Sequence, residues 1–121
     1  MAGGTGESIT SSTGSIYTGP SVPIMSPNPA RVWIPAIAGT LGTLQVTTDE
    51  VIDTGTITTI TVAVNGLDTA ITCSITDGNS GCTDAVNTVV IAEGDRVAVR
   101  LEQIGPDIPI RLNYSFTLQL P

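Results

Sequence analysis

The sequence predicts an all-β chain built as an antiparallel sandwich or barrel, and three observations carry that prediction. The first is the stretch 57–75, ITTITVAVNGLDTAITCSI, in which two alternating runs flank Asn65-Gly66. In the first run Ile60, Val62 and Val64 point one way and Thr59, Thr61 and Ala63 the other. In the second run Thr69, Ile71, Cys73 and Ile75 share one face, and Ala70, Thr72 and Ser74 share the other. Period-two alternation marks strands with one buried face. Asn-Gly accepts positive φ at both central positions, which a tight type I′ hairpin turn requires. The second observation is repetition: about seven or eight strand-like segments are separated by turn clusters every ten or so residues. The third is that no segment carries a helical period with caps.

Composition bounds what such a chain can do. Its 121 residues suit one domain with one core. Hydrophobic residues make up 40% and aromatics only 3%, so the core must be aliphatic. Charged residues make up 12%, against roughly a quarter in ordinary soluble domains. A monomer so poor in charge has little to keep it in solution. No apolar run approaches the ~20 residues of a membrane-spanning helix. The apolar excess is therefore expected to be buried against other protein chains. The net charge is −7, and Arg31, Arg96, Arg100 and Arg111 are scattered. Without a basic stripe we expect no nucleic-acid partner, and anionic membrane surfaces are disfavoured for the same reason. Met1-Ala2-Gly3-Gly4 has neither a basic region nor an apolar run. We expect no signal peptide and synthesis in a cytoplasm, with lysis as a route to the outside.

Residues 1–29 differ from the rest. They are rich in Gly, Ser, Thr and Pro, with Pro20, Pro23, Pro27 and Pro29 closing the segment. Such composition reads as a flexible or extended arm. One outcome is a disordered tail. The other is an arm ordered along a neighbour, anchored by Ile9, Ile16, Tyr17, Val22, Ile24 and Met25. Residues 30–121 form the expected sandwich. ARVWIPAIA, 30–38, is strand-like, and Pro35 makes it an edge strand or a strand start because proline donates nothing to a ladder. Trp33 is read as core or interface packing.

Leu44 and Val46 then give a short strand over 43–48. After the central hairpin comes the turn cluster Asp77-Gly78-Asn79-Ser80-Gly81, followed by a strand over 86–92 and the turn Glu93-Gly94. In the next strand Val97, Val99 and Leu101 point inward, with Arg96, Arg100 and Glu102 outward. The last segment, 110–120, puts Ile110, Leu112, Tyr114, Phe116, Leu118 and Leu120 on one face. It is the longest alternation in the chain and is expected to be a central strand.

Sites of chemistry are few. Asp49, Glu50 and Asp53 offer carboxylates for Ca²⁺, but such a cluster is more often a solvated loop. Asp77, Asn79 and Asp84 match an EF-hand loop loosely, without its closing acidic residue or flanking helices. We expect no metal and no cofactor. Cys73 and Cys82 flank the 77–81 turn, and if 71–75 pairs with the segment after it, the two thiols face each other across adjacent strands. The alternative is a pair of reduced thiols, as cytoplasmic synthesis favours. We expect a bridge in the mature protein. An enzyme is not expected, and no catalytic residue is assigned. Histidine and lysine are absent, and neither thiol has a nearby cation in sequence to lower its pKa.

Ala92-Glu93-Gly94-Asp95-Arg96-Val97-Ala98-Val99, followed by Tyr114-Ser115-Phe116-Thr117-Leu118, resembles the last two strands of C1q/TNF-like trimeric jelly-rolls. The middle, VAVNGLDTAITCSITDGNSGCTD, is similar to trimeric heads of phage fibres and spore-surface collagen-like proteins. The resemblance covers about 39–120. It implies an antiparallel jelly-roll-like β-sandwich with an extended N-terminal arm, assembled as a homotrimer. Those fibre and collagen-like proteins carry a long repetitive stalk, whereas a short arm stands here. A free-standing head with arms looks like a phage capsid decoration (cement) protein on the virion surface. Its partner would be the major capsid protein, met through Ile16, Tyr17, Val22, Ile24 and Met25. The alternative is a receptor- or glycan-binding head of a fibre or spore, for which the few aromatics offer little platform.

Overall fold

The computed structural model describes residues 2–4, 16–18, 25–26, 34–35, 37–49, 55–76, 78–105 and 111–121. Its strands are β1 (Ala2–Gly4), β2 (Ile16–Thr18), β3 (Met25–Ser26), β4 (Ile34–Pro35), β5 (Gly39–Thr48), β6 (Ile57–Val64), β7 (Leu67–Ile75), β8 (Gly81–Ile91), β9 (Arg96–Ile104) and β10 (Leu112–Gln119). Among the described residues there is no helix. The Asn-Gly turn forms as its chemistry requires. Val64 pairs with Leu67, and the two residues between them have φ of 53° at Asn65 and 81° at Gly66.

The strands make two antiparallel sheets. The first runs β1-β10-β5-β8, and the second runs β3-β2-β9-β6-β7 with β4 also on β9. Leu41, Leu44, Val46, Ile91, Leu112, Tyr114 and Phe116 from the first sheet meet Ile60, Val62, Ile71, Ile75, Val97, Val99 and Leu101 from the second in one buried cluster. The chain is thus a β-sandwich with a mainly aliphatic core. Tyr114 and Phe116 stack with ring centroids 6.2 Å apart and supply its aromatic part. The strand that carries them lies between β1 and β5, a central position as its long alternation predicts. Ile110 lies outside the described residues, and Leu120, past the end of β10, is exposed.

Two strands begin earlier than expected, for one physical reason. The strand read as 43–48 starts at Gly39. Leu41 and Leu44 are both fully buried although they differ in parity. A bulge reconciles them: Thr43 takes φ 51°, and Ser115 to Thr117 spans Gln45 to Gly42. The strand read as 86–92 starts at Gly81. There Gly42 faces Thr88 while Leu44 faces Asp84, so β8 carries surplus residues over 85–87. Each bulge flips the inward parity and hides the first half of the strand from a period-two reading.

Short strands on the N-terminal side of Pro29 take part in the two sheets. β1 pairs with β10, and β2 pairs with both β9 and β3. Among the described residues of 30–38, Ile34 and Pro35 form strand β4, against Val97 and Arg96. Trp33 lies outside the described residues.

Candidate functional site

The outer face of the first sheet is built from four cross-strand rows. Asn113, Thr47 and Gly81 form one, with Gly4 beyond Asn113. Ser115, Gln45 and Thr83 form the next, with Ala2 beyond Ser115. Past the bulge come Thr117, Gly42 and Thr88, then Gln119, Thr40 and Val90. No position in these rows is ionisable. The same strands send Leu41, Leu44, Val46, Leu112, Tyr114 and Phe116 inward, so alternation, reset once at the Thr43 bulge, decides which residues reach solvent. Two contacts fix the face locally. Thr117 Oγ1 donates to the Gly42 carbonyl at 2.9 Å across the bulge. At Gly81 a Cβ would meet the Val46 carbonyl oxygen at 2.6 Å, so only glycine fits.

The outer face of the second sheet differs in kind. Arg100 bridges Asp68 at 2.9 Å and Glu102 at 3.1 Å. Beside them Thr61 and Thr72 hydroxyls bond at 2.9 Å, and Thr59 and Ser74 bond at 2.9 Å. Among the described residues, charge therefore lies within the rows of the second sheet's outer face and is missing from the four rows of the first, returning there only past the row of Asn113 and Thr47, at Asp49 and Arg111. Between β5 and β10 the uncharged face sinks into an open depression of about 230 Å³, lined by Gln45, Thr47, Asn113, Tyr114 and Ser115. Exposed aliphatics stand at the edge strands: Leu67 on β7 is 73% exposed, and Val86 and Val90 on β8 are 86% and 82% exposed.

The side where β7 and β8 meet is sealed. Cys73 and Cys82 form a disulfide with Cα atoms 5.8 Å apart. These strands are the edges of different sheets, so the bond spans the two layers instead of joining neighbours in one sheet. Asp84, loosely EF-hand-like in sequence, is committed elsewhere. Its carboxylate accepts from Val86 N and Asn87 N at 3.1 Å, from Asn87 Nδ2 at 2.9 Å, and from Thr72 N across the gap at 3.1 Å. It holds the β8 bulge and satisfies an edge donor of β7 at once. Asp77 lies outside the described residues. Asp49 accepts from Arg111 N at 3.0 Å, and Glu50 and Asp53 lie outside. Among the described residues no group of three or more Cys, Asp or Glu side chains is placed to hold a metal ion.

The disulfide closes a short loop, for which chain entropy gives about 2–3 kcal/mol. The Cys73→Ser, Cys82→Ser double variant should lose about that much unfolding free energy in a urea titration. In native protein, alkylation followed by mass spectrometry should leave both cysteines unmodified. Two freely alkylated thiols would show that the mature protein does not use the staple.

Of the predicted partner-binding residues, Ile16 pairs with Leu101, Tyr17 pairs with Arg100 and Ser26, and Met25 pairs with Thr18. Val22 and Ile24 lie outside the described residues. The uncharged face and the Asp84 knot were missed in sequence. The signal for the face was the lack of charge at alternate positions of 39–48 and 112–119; for the knot it was an Asp three residues before an Asn in β-branched surroundings. No protein-family model matches the chain, and no curated protein matches it.

Proposed function

We propose that this protein is a virion structural protein, a phage capsid decoration (cement) protein that binds the capsid surface as a homotrimer and stabilises it. The observation that carries the reading is the four uncharged rows on the outer face of the first sheet. A chain of net charge −7 meets copies of itself with least repulsion where it carries no charge. Short Thr, Ser, Asn and Gln side chains bring two surfaces close, and the depression at Gln45 and Asn113 can receive an edge aliphatic of a neighbour. A head-to-tail contact of this kind closes into a ring when its rotation divides a full turn, and a one-third turn gives the proposed trimer.

The pairing scheme supports a jelly roll. β6 pairs β7, β5 pairs β8, β2 pairs β9 and β1 pairs β10, which is one long hairpin rolled into two layers. The major capsid protein is the proposed partner, with Ile16, Tyr17, Val22, Ile24 and Met25 as anchors and synthesis in the host cytoplasm. A structural role suits a chain whose two cysteine sulfurs are bonded to each other. No enzymatic activity is proposed. The depression also favours a second reading, a trimeric head that binds receptors or glycans, since the amides of Gln45 and Asn113 and the hydroxyls of Thr47 and Ser115 match sugar hydroxyls.

Sedimentation of the purified chain at micromolar concentration should give a trimer. A stable monomer with a cooperative melt would sink the trimer. Co-sedimentation with undecorated capsids should persist at high salt, because an uncharged contact is screened little. Deleting 1–29 removes β1, β2 and β3 along with the anchors, so Val22→Ser and Ile24→Ser make the sharper attachment test. Capture by immobilised glycans with no binding to capsids would favour the second reading.

A further inference from the structure

The tip of the β6–β7 hairpin carries chemistry that assembly does not use. In an Asn-Gly pair the glycine has no Cβ to hinder its own nitrogen from reaching the asparagine side chain. Here that side chain is held at both ends. Asn65 Nδ2 donates to Asp95 Oδ1 at 3.1 Å, and Asn65 Oδ1 accepts from Arg96 N at 3.0 Å. The backbone N of Asn65 donates to the Arg96 carbonyl at 2.8 Å. Asp95 is fixed in turn: its Oδ2 accepts from Ala92 N at 2.8 Å, and its own N donates to the Ala92 carbonyl at 3.1 Å. The hairpin tip and the β8–β9 turn therefore form one clasp, closed by an asparagine and an aspartate side chain. Asn65 is exposed and Asp95 half-buried.

We propose that Asn65 is a self-deamidation site gated by this clasp, and that its conversion frees the hairpin tip from the β8–β9 turn. The Gly66 nitrogen gives up its proton and attacks Asn65 Cγ. A Cγ–N bond forms, the Cγ–Nδ2 bond breaks, and the nitrogen leaves as ammonia, leaving a five-membered imide. Water then adds to either imide carbonyl and opens the ring to aspartate or to β-linked isoaspartate. One water enters and one ammonia leaves, with no change of oxidation state. Ring closure requires Cγ to swing toward Gly66, so the bonds to Asp95 and Arg96 must open first. The aspartate product sets a carboxylate against Asp95 Oδ1 where an amide now donates. The isoaspartate product lengthens the backbone within a two-residue turn that needs both central residues at positive φ.

The full chain is held in mildly alkaline buffer, native and in urea with the disulfide intact, and conversion is followed by peptide mass spectrometry. Asn79, followed by Ser80, serves as internal reference. Native Asn65 should convert at least about tenfold more slowly than Asn65 in urea, because only the open clasp reacts. Asp95→Ala should raise the native Asn65 rate severalfold, leave the urea rate unchanged, and leave native Asn79 unchanged. Equal native and urea rates would overturn the gating. So would an Asp95→Ala rate equal to that of the unmutated chain, or one that rises only together with Asn79. For the release, Asn65→Asp should speed amide exchange at Arg96 severalfold while exchange at Ile60 and Val62 stays slow. Unchanged exchange at Arg96 would overturn that half.

Discussion

Asp84→Ala is expected to lower the free energy of unfolding by about 3 kcal/mol in a urea titration, with little change in slope. Four N–H donors converge on this carboxylate, three from the backbone and one from the Asn87 amide. Hydrogen bonds to a charged group stabilise by about 1.5–3 kcal/mol each. Val86, Asn87 and Thr72 lie at the surface, so water takes over part of that bonding and the losses do not sum in full. Asp84→Asn should cost about half as much, because one oxygen that accepts becomes an amide that donates. A loss below about 0.5 kcal/mol for the alanine variant would mean that the β8 bulge is held by its ladder alone.

The same group gives the protein an acid limit. Asn87's side-chain amide, then its backbone N–H, hold the Asp84 carboxyl at about 2 instead of 3.8; burial opposes them, and Val86 and Thr72 add to them. Asp95 is also held below the usual range, by Ala92 N–H first and the Asn65 amide second. A lowered folded pKa means that the unfolded chain binds more protons. The stabilisation is therefore complete above about pH 4 and is lost as pH falls through about 2. For one proton the slope is at most about 1.4 kcal/mol per pH unit. Stability measured across this window should fall less steeply in Asp84→Asn than in the unmutated chain.

What could be read from the sequence follows where the period of two survives. Asn65-Gly66 specified its turn, Val97, Val99 and Leu101 turned inward, and Leu112, Tyr114 and Phe116 did the same on a central strand. The pattern failed where a bulge changed parity. Leu41 and Leu44, or Cys82 and Ile91, share a side in space but not in the count. Asp84 was missed because its donors arise from that bulge and from β7, which only the packed sandwich brings near. The short strands at Ala2–Gly4 and Ile16–Thr18 span too few residues to show a period; their places follow from the edges that β10 and β9 present. The candidate surface escaped because burial against partners was sought in apolar residues. The four rows are polar, and their distinguishing property is that the charges lie outside them.

Gln45→Glu should break self-association while leaving the fold intact. Gln45 is exposed in the middle of the row Ser115, Gln45, Thr83, and glutamate has the same shape. The substitution therefore adds charge and little else. Every copy in a ring contributes one such carboxylate to a contact whose rows contain no cation. Taking a carboxylate from water without a partner costs several kcal/mol when burial is complete and less at a wet rim. A cost of about 3 kcal/mol per contact weakens association by about a hundredfold. On the proposed reading, sedimentation velocity over a range of concentrations should show the variant as a monomer where the unmutated chain sediments as a trimer, and binding to capsids should fall with it. Ser74→Glu is the matched control, since it adds the same charge to the face that already holds Asp68, Arg100 and Glu102. Its association should be unchanged. If Ser74→Glu dissociates the assembly and Gln45→Glu does not, the copies meet through the second sheet, and the uncharged face is free for another partner.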